Sequence, residues 1–304
     1  MKIASGNIIA TAMGMVEVEE HGSGVPVLLL HGSPGGIDAA RAMGRFLPRD
    51  RFRAIALSRP GYLGTPLDPA DTSIDHEADL LAAVLDTLGV ERAGVLAWSG
   101  GGPSAYRLAV RHPDRVCSIV AIAAVSSRSV APQPTATQKF LFGTPVGQWL
   151  IRFFARRAPG SLVGGALANE GSVRGEELHA LTAGVLADLE KRAAVLTLAT
   201  TVGIAGARKA GLDNDIANFA RIDSLELQRV ACPVLLIHGD ADSGAPIDHS
   251  RSADDALPRS RLIVMRHGTH LAFFAHPDAA RVQEQARRWL TDSFDNTPQG
   301  RTPR

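Results

Sequence analysis

The stretch Arg92-Ala93-Gly94-Val95-Leu96-Ala97-Trp98-Ser99-Gly100-Gly101-Gly102-Pro103 decides how the rest of the chain is read. It runs from a β-rich segment, Arg92 to Trp98, through a glycine-rich turn into a segment of helical spacing, Gly101 to Arg111. A serine held on so sharp a strand-to-helix turn needs small residues two positions before and two after it, because backbone and helix crowd the turn. Ala97 and Gly101 meet that demand around Ser99. An ordinary βα loop, or a phosphate cradle at a helix N-terminus, is the competing reading of the same residues.

Outward from this turn, strand-like and helix-like segments alternate, the pattern of βαβ units around a mostly parallel sheet. Val25 to Leu30, Phe52 to Leu57 and Val116 to Ala124 read as further strands, and Ile37 to Leu47 and Ile74 to Leu88 as crossover helices. Met13 to Glu19 reads as an antiparallel edge strand. The alternation stops near Ser126 and returns with the strand Val234 to His238, the helix Asp248 to Ala256, the strand Arg261 to Met265 and the closing helix Pro277 to Leu290. Between lies a segment rich in alanine, glycine and aromatics with helical spacing. The expected organisation is an α/β core of residues 1–125 and 226–294, a helical lid of residues 126–225 and a disordered polar tail of residues 295–304.

Composition narrows the function classes. Hydrophobic residues make up 45% of the 304 and charged residues 21%, which fits a globular protein with a sizeable core. Lys plus Arg number 32 against 31 acids, so no net field gathers nucleic acid or an anionic membrane. Cys117 and Cys232 stand apart from any CxxC pair and suggest neither metal nor disulfide. Ser5, Gly6 and Asn7 interrupt the start of the chain, and no segment is apolar over a membrane-spanning length, so a cytoplasmic protein is expected. The expected partner is a small-molecule substrate; oligomeric state has no signature here.

Three more loops follow strand ends. His31-Gly32-Ser33-Pro34-Gly35-Gly36 succeeds a run of three leucines, His238-Gly239-Asp240-Ala241-Asp242 ends the strand at Val234, and Arg266-His267-Gly268-Thr269-His270 precedes Pro277 by seven residues. With the small-x-Ser-x-Gly turn, these resemble the α/β-hydrolase fold family, and the order Ser99, Asp242, His270 is that of this fold. The resemblance spans the chain apart from the lid. It implies a central sheet flanked by helices, Ser99 as nucleophile, His270 as base and Asp242 as the acid that orients it. It also implies that the backbone N–H groups of Ser33 and Gly100 form an oxyanion hole. Asp240 is expected to support its loop, and His31 to brace the backbone rather than react. His267 and His276 are the rival bases. The sequence departs from the family in Ala97 for the first glycine of the turn, Ala275 for a common acid, and Ser58 for the acid before Arg59-Pro60-Gly61-Tyr62.

The implied chemistry is acyl transfer to a serine followed by hydrolysis, which needs no metal and no organic cofactor. Serine rather than aspartate at the turn separates the chain from epoxide hydrolases and haloalkane dehalogenases. Trp98, Tyr62, Phe140, Trp149 and Phe153 are the candidate pocket residues, although Trp149, Leu150 and Phe153 equally suit packing of the lid onto the body. A small carboxylic ester is the expected substrate. A proline iminopeptidase, a carbon–carbon bond hydrolase and a cofactor-free perhydrolase are alternatives, the first lacking a recognisable acidic lid site between Ser126 and Leu225. From another class, a slow-turnover receptor built on the hydrolase scaffold is the competing reading.

Overall fold

The computed structural model describes residues 6–130 and 134–295. The chain opens with β1 (Asn7–Thr11), β2 (Gly14–His21) and β3 (Val25–Leu30), followed by α1 (Ile37–Met43), β4 (Phe52–Leu57) and α2 (Ile74–Thr87). β5 (Ala93–Trp98), α3 (Gly102–Arg111) and β6 (Val116–Ile122) complete the first half. A helical insertion then comprises α4 (Ala136–Gly143), α5 (Pro145–Arg157), α6 (Pro159–Asn169), α7 (Gly175–Ala187), α8 (Leu189–Ala199) and α9 (Lys209–Phe219). β7 (Val234–Gly239), α10 (Asp248–Ala256), β8 (Ser260–Met265), α11 (Ala272–Ala275) and α12 (Ala279–Asp295) close the chain.

The eight strands form one sheet in the order β1-β2-β4-β3-β5-β6-β7-β8, antiparallel at β1–β2 and β2–β4 and parallel elsewhere. Parallel strands buried on both faces read as continuous apolar runs, and β5 shows how the run is divided. Val95 and Ala97 face a cluster with Leu81, Val84 and Leu85 of α2 and Ala105 and Leu108 of α3. Leu96 and Trp98 face the opposite cluster, with Ile37 and Met43 of α1 and Val282, Ala286 and Leu290 of α12. Period-two alternation thus feeds two cores from one strand. β5 sits mid-sheet between β3 and β6, so the turn at its C-terminal end stands on the most constrained part of the fold.

One expectation needs correcting. The segment Met13 to Glu19 is not the sheet edge: β2 lies one strand in, and Asn7–Thr11 forms the edge strand outside it. The hairpin is made by Thr11 and Gly14, and the half-exposed, irregular burial of β1 gave it little alternation to read. The expected tail of residues 295–304 lies outside the described residues, save Asp295, which ends α12. Among the described residues no helix is long and apolar enough to cross a membrane.

Candidate active site

Ser99 sits directly at the end of β5 with φ of +54°, a left-handed conformation that costs a non-glycine residue about 1–2 kcal/mol. Pairing of β5 on both sides and the Val125 N–H donating to the Ser99 carbonyl at 3.0 Å hold it there. The small-residue demand is visible at Gly101, where a Cβ would fall 2.5 Å from the Leu30 carbonyl oxygen and 3.0 Å from that of His31.

The loop after β3 lies against this turn. A Cβ on Gly100 would stand 3.2 Å from the Ser33 nitrogen, and one on Gly32 would stand 3.0 Å from the Ser99 Cβ. Ser33 and Gly100 are therefore neighbours beside Ser99. His31, fully buried, donates from Nδ1 to the Gly32 carbonyl at 2.7 Å and accepts at Nε2 from the Arg59 N–H at 3.0 Å. Burial, then the Arg59 charge, hold its pKa well below the ordinary histidine value, as those neutral-ring bonds require.

His270 follows β8 and its ring stacks on Trp98, centroids 5.5 Å apart. Its Nδ1 donates to Asp242 Oδ2 at 2.7 Å, which leaves the Nε2 lone pair as the basic position. Asp242 is fully enclosed: Oδ1 accepts the Gly244 and Ala245 N–H groups at 2.7 and 2.9 Å, and Oδ2 also faces His238 Nε2 at 3.2 Å. Burial alone would raise the Asp242 carboxyl, but the His270 charge and these hydrogen bonds take it well below the carboxylate range. For His270 burial works downward, and the Asp242 charge, its hydrogen bond and then the Glu170 charge carry the pKa above the ordinary value. The rivals are engaged elsewhere. Asp240 accepts the His267 N–H, His267 pairs with Glu177 at 2.8 Å, and His276 Nε2 faces the Arg266 carbonyl at 3.0 Å.

Ser99, His270, Ser33 and Trp98 open onto one cavity of about 650 Å³. Its apolar wall includes Phe142, Ile151, Phe154, Leu198 and Val202, all from the insertion. Four expected pocket residues are absent from it. Tyr62 is fully buried beneath the loop, its hydroxyl donating to Asp215 at 2.6 Å. Phe140 is 46% exposed, while the next residues on α4, Leu141 and Phe142, line the cavity. Trp149 and Phe153 stack on each other at 5.4 Å in a separate surface groove of about 1540 Å³ that contains none of Ser99, Asp242 and His270. Ile151 and Phe154, three apart on α5, face inward instead. Helical spacing showed which residues share a face of α5 but not which face turns inward.

Sequence reasoning missed two groups. Asp215 of α9 accepts from Arg59 Nη1 and Nη2 at 3.0 and 2.7 Å, from Tyr62 and from the Ser33 hydroxyl, while Glu77 holds Arg59 from the other side at 2.7 and 3.2 Å. The insertion thus grips the loop that carries Ser33. Nothing in the sequence separates Asp215 from its exposed neighbour Asp213. The second group is Glu170, which lines the cavity and whose carbonyl accepts the His270 N–H at 2.7 Å. It did have a signal, being the first acid after Asp114.

Comparison with known proteins agrees with this architecture. The alpha/beta hydrolase fold family matches residues 25–277. A pimeloyl-[acyl-carrier protein] methyl ester esterase of Aeromonas hydrophila is 27% identical over 273 residues, covering 86% of this chain and 94% of its own. An alpha/beta hydrolase fold protein from Nakamurella multipartita superposes with a TM-score of 0.91 at 45% identity, over 93% of this chain and 98% of its own. A thermophilic esterase from Thermogutta terrifontis shares the fold, with a TM-score of 0.63 at 21% identity over 94% and 98% of the two chains.

Proposed function

The chain belongs to the α/β-hydrolase fold family and is a hydrolase, and on that premise we propose that it cleaves a small carboxylic ester through an acyl-enzyme on Ser99. The observation that carries the proposal is the single cavity onto which Ser99, His270 and the Ser33 loop all open, with His270 Nδ1 committed to Asp242. In this reading His270 Nε2 takes the Ser99 proton as Oγ bonds to the carbonyl carbon, and the Ser33 and Gly100 N–H groups receive the oxyanion. As the tetrahedral species collapses the C–O bond breaks, and His270 passes the proton to the departing alkoxide. Water, activated by the same ring, then releases the acid and restores Ser99. Residues of the chain supply every group in this cycle, and it needs no cofactor.

The cavity size suits a short to medium acyl chain, and its apolar wall offers that chain a dry surface. The test is hydrolysis of p-nitrophenyl esters together with labelling by a fluorophosphonate. Ser99→Ala should reduce kcat by on the order of 10⁴- to 10⁶-fold and abolish labelling, with thermal stability unchanged. A labelled peptide that lacks Ser99 refutes the assignment. An aminoacyl anilide cleaved much faster than any ester replaces the esterase reading with the iminopeptidase one.

A further inference from the structure

Glu170 is the one carboxylate residue lining the cavity, and no lysine or arginine lines it among the described residues. Its backbone is pinned to the catalytic loops: the carbonyl accepts from His270, and Gly171 next to it forms an antiparallel bridge with Asp242. Its Oε1 accepts from Asn169 Nδ2 at 3.0 Å, and Asn169 Oδ1 accepts from Gln138 at 2.9 Å, which gives the apolar cavity one polar strip. Oε2 lies on the side of the base. A Cβ placed on Gly244 would stand 3.2 Å from Glu170 Oε2 and 3.2 and 3.4 Å from His270 Cγ and Nδ1, so the carboxylate borders the Cγ–Nδ1 edge of the ring. Glu170 also caps the C-terminus of the eleven-residue α6, whose dipole adds negative potential at the same place.

Mechanistic geometry fixes which part of a substrate meets this spot. The acyl group is bonded to Ser99 and its oxygen is turned to Ser33 and Gly100. The leaving oxygen must face His270, which protonates it. Glu170 borders the opposite edge of the ring, so an alcohol that carries its charge a few bonds beyond that oxygen reaches the carboxylate across the ring face. We propose that Glu170 selects the leaving group, and that the substrates are apolar acyl esters of alcohols bearing a positive charge, amino alcohols in chemical class. A cation there meets a carboxylate and a helix C-terminus with no lysine or arginine in the lining to compete, whereas an anionic alcohol meets repulsion. This inference rests on the ester reading, and the experiment below separates its failure from that of the reading.

The probes are butyrylcholine and its uncharged carbon isostere, 3,3-dimethylbutyl butyrate, assayed at a pH where His270 is neutral. The wild-type protein should favour the cation in kcat/KM by about 10- to 100-fold, the range of a partly screened contact between opposite charges, since the quaternary ammonium has no N–H to donate. Glu170→Gln should bring that ratio close to one. Any effect of Glu170 exerted through the basicity of His270 slows both esters alike and cancels in the ratio. A wild-type ratio near one, or a ratio that Glu170→Gln leaves unchanged, overturns the proposal. Calorimetric titration of Ser99→Ala with both esters measures the same preference without turnover. If neither ester is hydrolysed and Ser99 resists labelling, the ester reading fails, and tighter binding of the choline ester still upholds the cation site while equal binding overturns it.

Discussion

Replacing Asp215 by alanine tests how firmly the helical insertion holds the nucleophile side of the site. The carboxylate accepts four hydrogen bonds, from both Arg59 terminal nitrogens, the Tyr62 hydroxyl and the Ser33 hydroxyl, and Arg59 is 1% exposed. Removing one partner of a buried ion pair costs about 3–5 kcal/mol when the other charge is left bare. Arg59 keeps Glu77 on its far side, which pulls the figure to the low end. Tyr62 loses its acceptor, and an unsatisfied buried hydroxyl costs about 1–3 kcal/mol, whereas the Ser33 hydroxyl can turn to the cavity. The sum is about 4–6 kcal/mol, or roughly 8–12 °C in Tm at about 2 °C per kcal/mol for a chain of this size. Asp213→Ala, two residues earlier on the same helix, is the control. Its carboxylate is exposed and pairs only with exposed Lys209, so the expected cost is below about 0.5 kcal/mol. Differential scanning calorimetry on the two variants decides between them, and kcat against KM should show the Asp215 loss mainly in kcat, through displacement of the Ser33 peptide. Equal shifts for Asp213→Ala and Asp215→Ala refute the reasoning, because a buried network would then be worth no more than a surface pair.

Two further outcomes concern the base and the pocket. Asp242→Asn should cost about 10⁴-fold in kcat, whereas Asp240→Asn, whose amide oxygen can still accept the His267 N–H, should stay within about 10-fold. Because burial lowers the His270 pKa but the Asp242 charge, its hydrogen bond and the Glu170 charge together hold it above its ordinary value, the acid limb of kcat/KM, where the base becomes protonated, should lie above about pH 6.5 and move down in Asp242→Asn. Phe142→Ala and Phe154→Ala should change the ratio of kcat/KM between short and long acyl esters by about 1–3 kcal/mol per methylene-sized contact, while Trp149→Ala and Phe153→Ala leave it flat. A chain-length profile that follows Trp149 and Phe153 instead would place the acyl chain in the outer groove.

The legible parts of this protein are those whose local chemistry admits few solutions. Ser99 on a left-handed turn, with Gly101 against two carbonyls, leaves a mark because only small residues fit. The strands β3, β5, β6 and β7 were legible for the opposite reason, being largely buried on both faces and so apolar apart from Ser118 and His238. β1, exposed at the edge, carries no such constraint. The insertion was legible as helices but not as a surface. α5 shows residues to both solvent and cavity, and its amphipathic spacing is the same whichever face turns in. Asp215 and Glu170 act on residues 182 and 100 positions away in sequence, Ser33 and His270, and no local pattern reports such a pairing.

These long-range ties also decide which part of the insertion can open. Glu170, Gly171 and Ser172 bond to His270, to the Asp242 strand bridge and to Ala241, so lifting this segment would pull on the acid and the base together. At the other end, Asp215 holds Arg59 and Ser33, and Arg208 pairs with Asp38 at 2.6 Å, so lifting α9 would disturb the loop that carries Ser33. α4 has no buried residue, and in α5 only Gly147 and Ile151 are buried, yet Leu141, Phe142, Ile151 and Phe154 close the cavity from this side. Few buried contacts mean a low cost of local opening. Substrate entry is therefore expected through a hinge of the α4–α5 pair, with the rest of the insertion staying fixed as part of the catalytic frame. Hydrogen exchange reads this directly: amides of α4 and α5 should exchange faster than those of His270 and Ser172. Equal protection along the whole insertion would mean that it moves as one body, and each opening would then dismantle the site it uncovers.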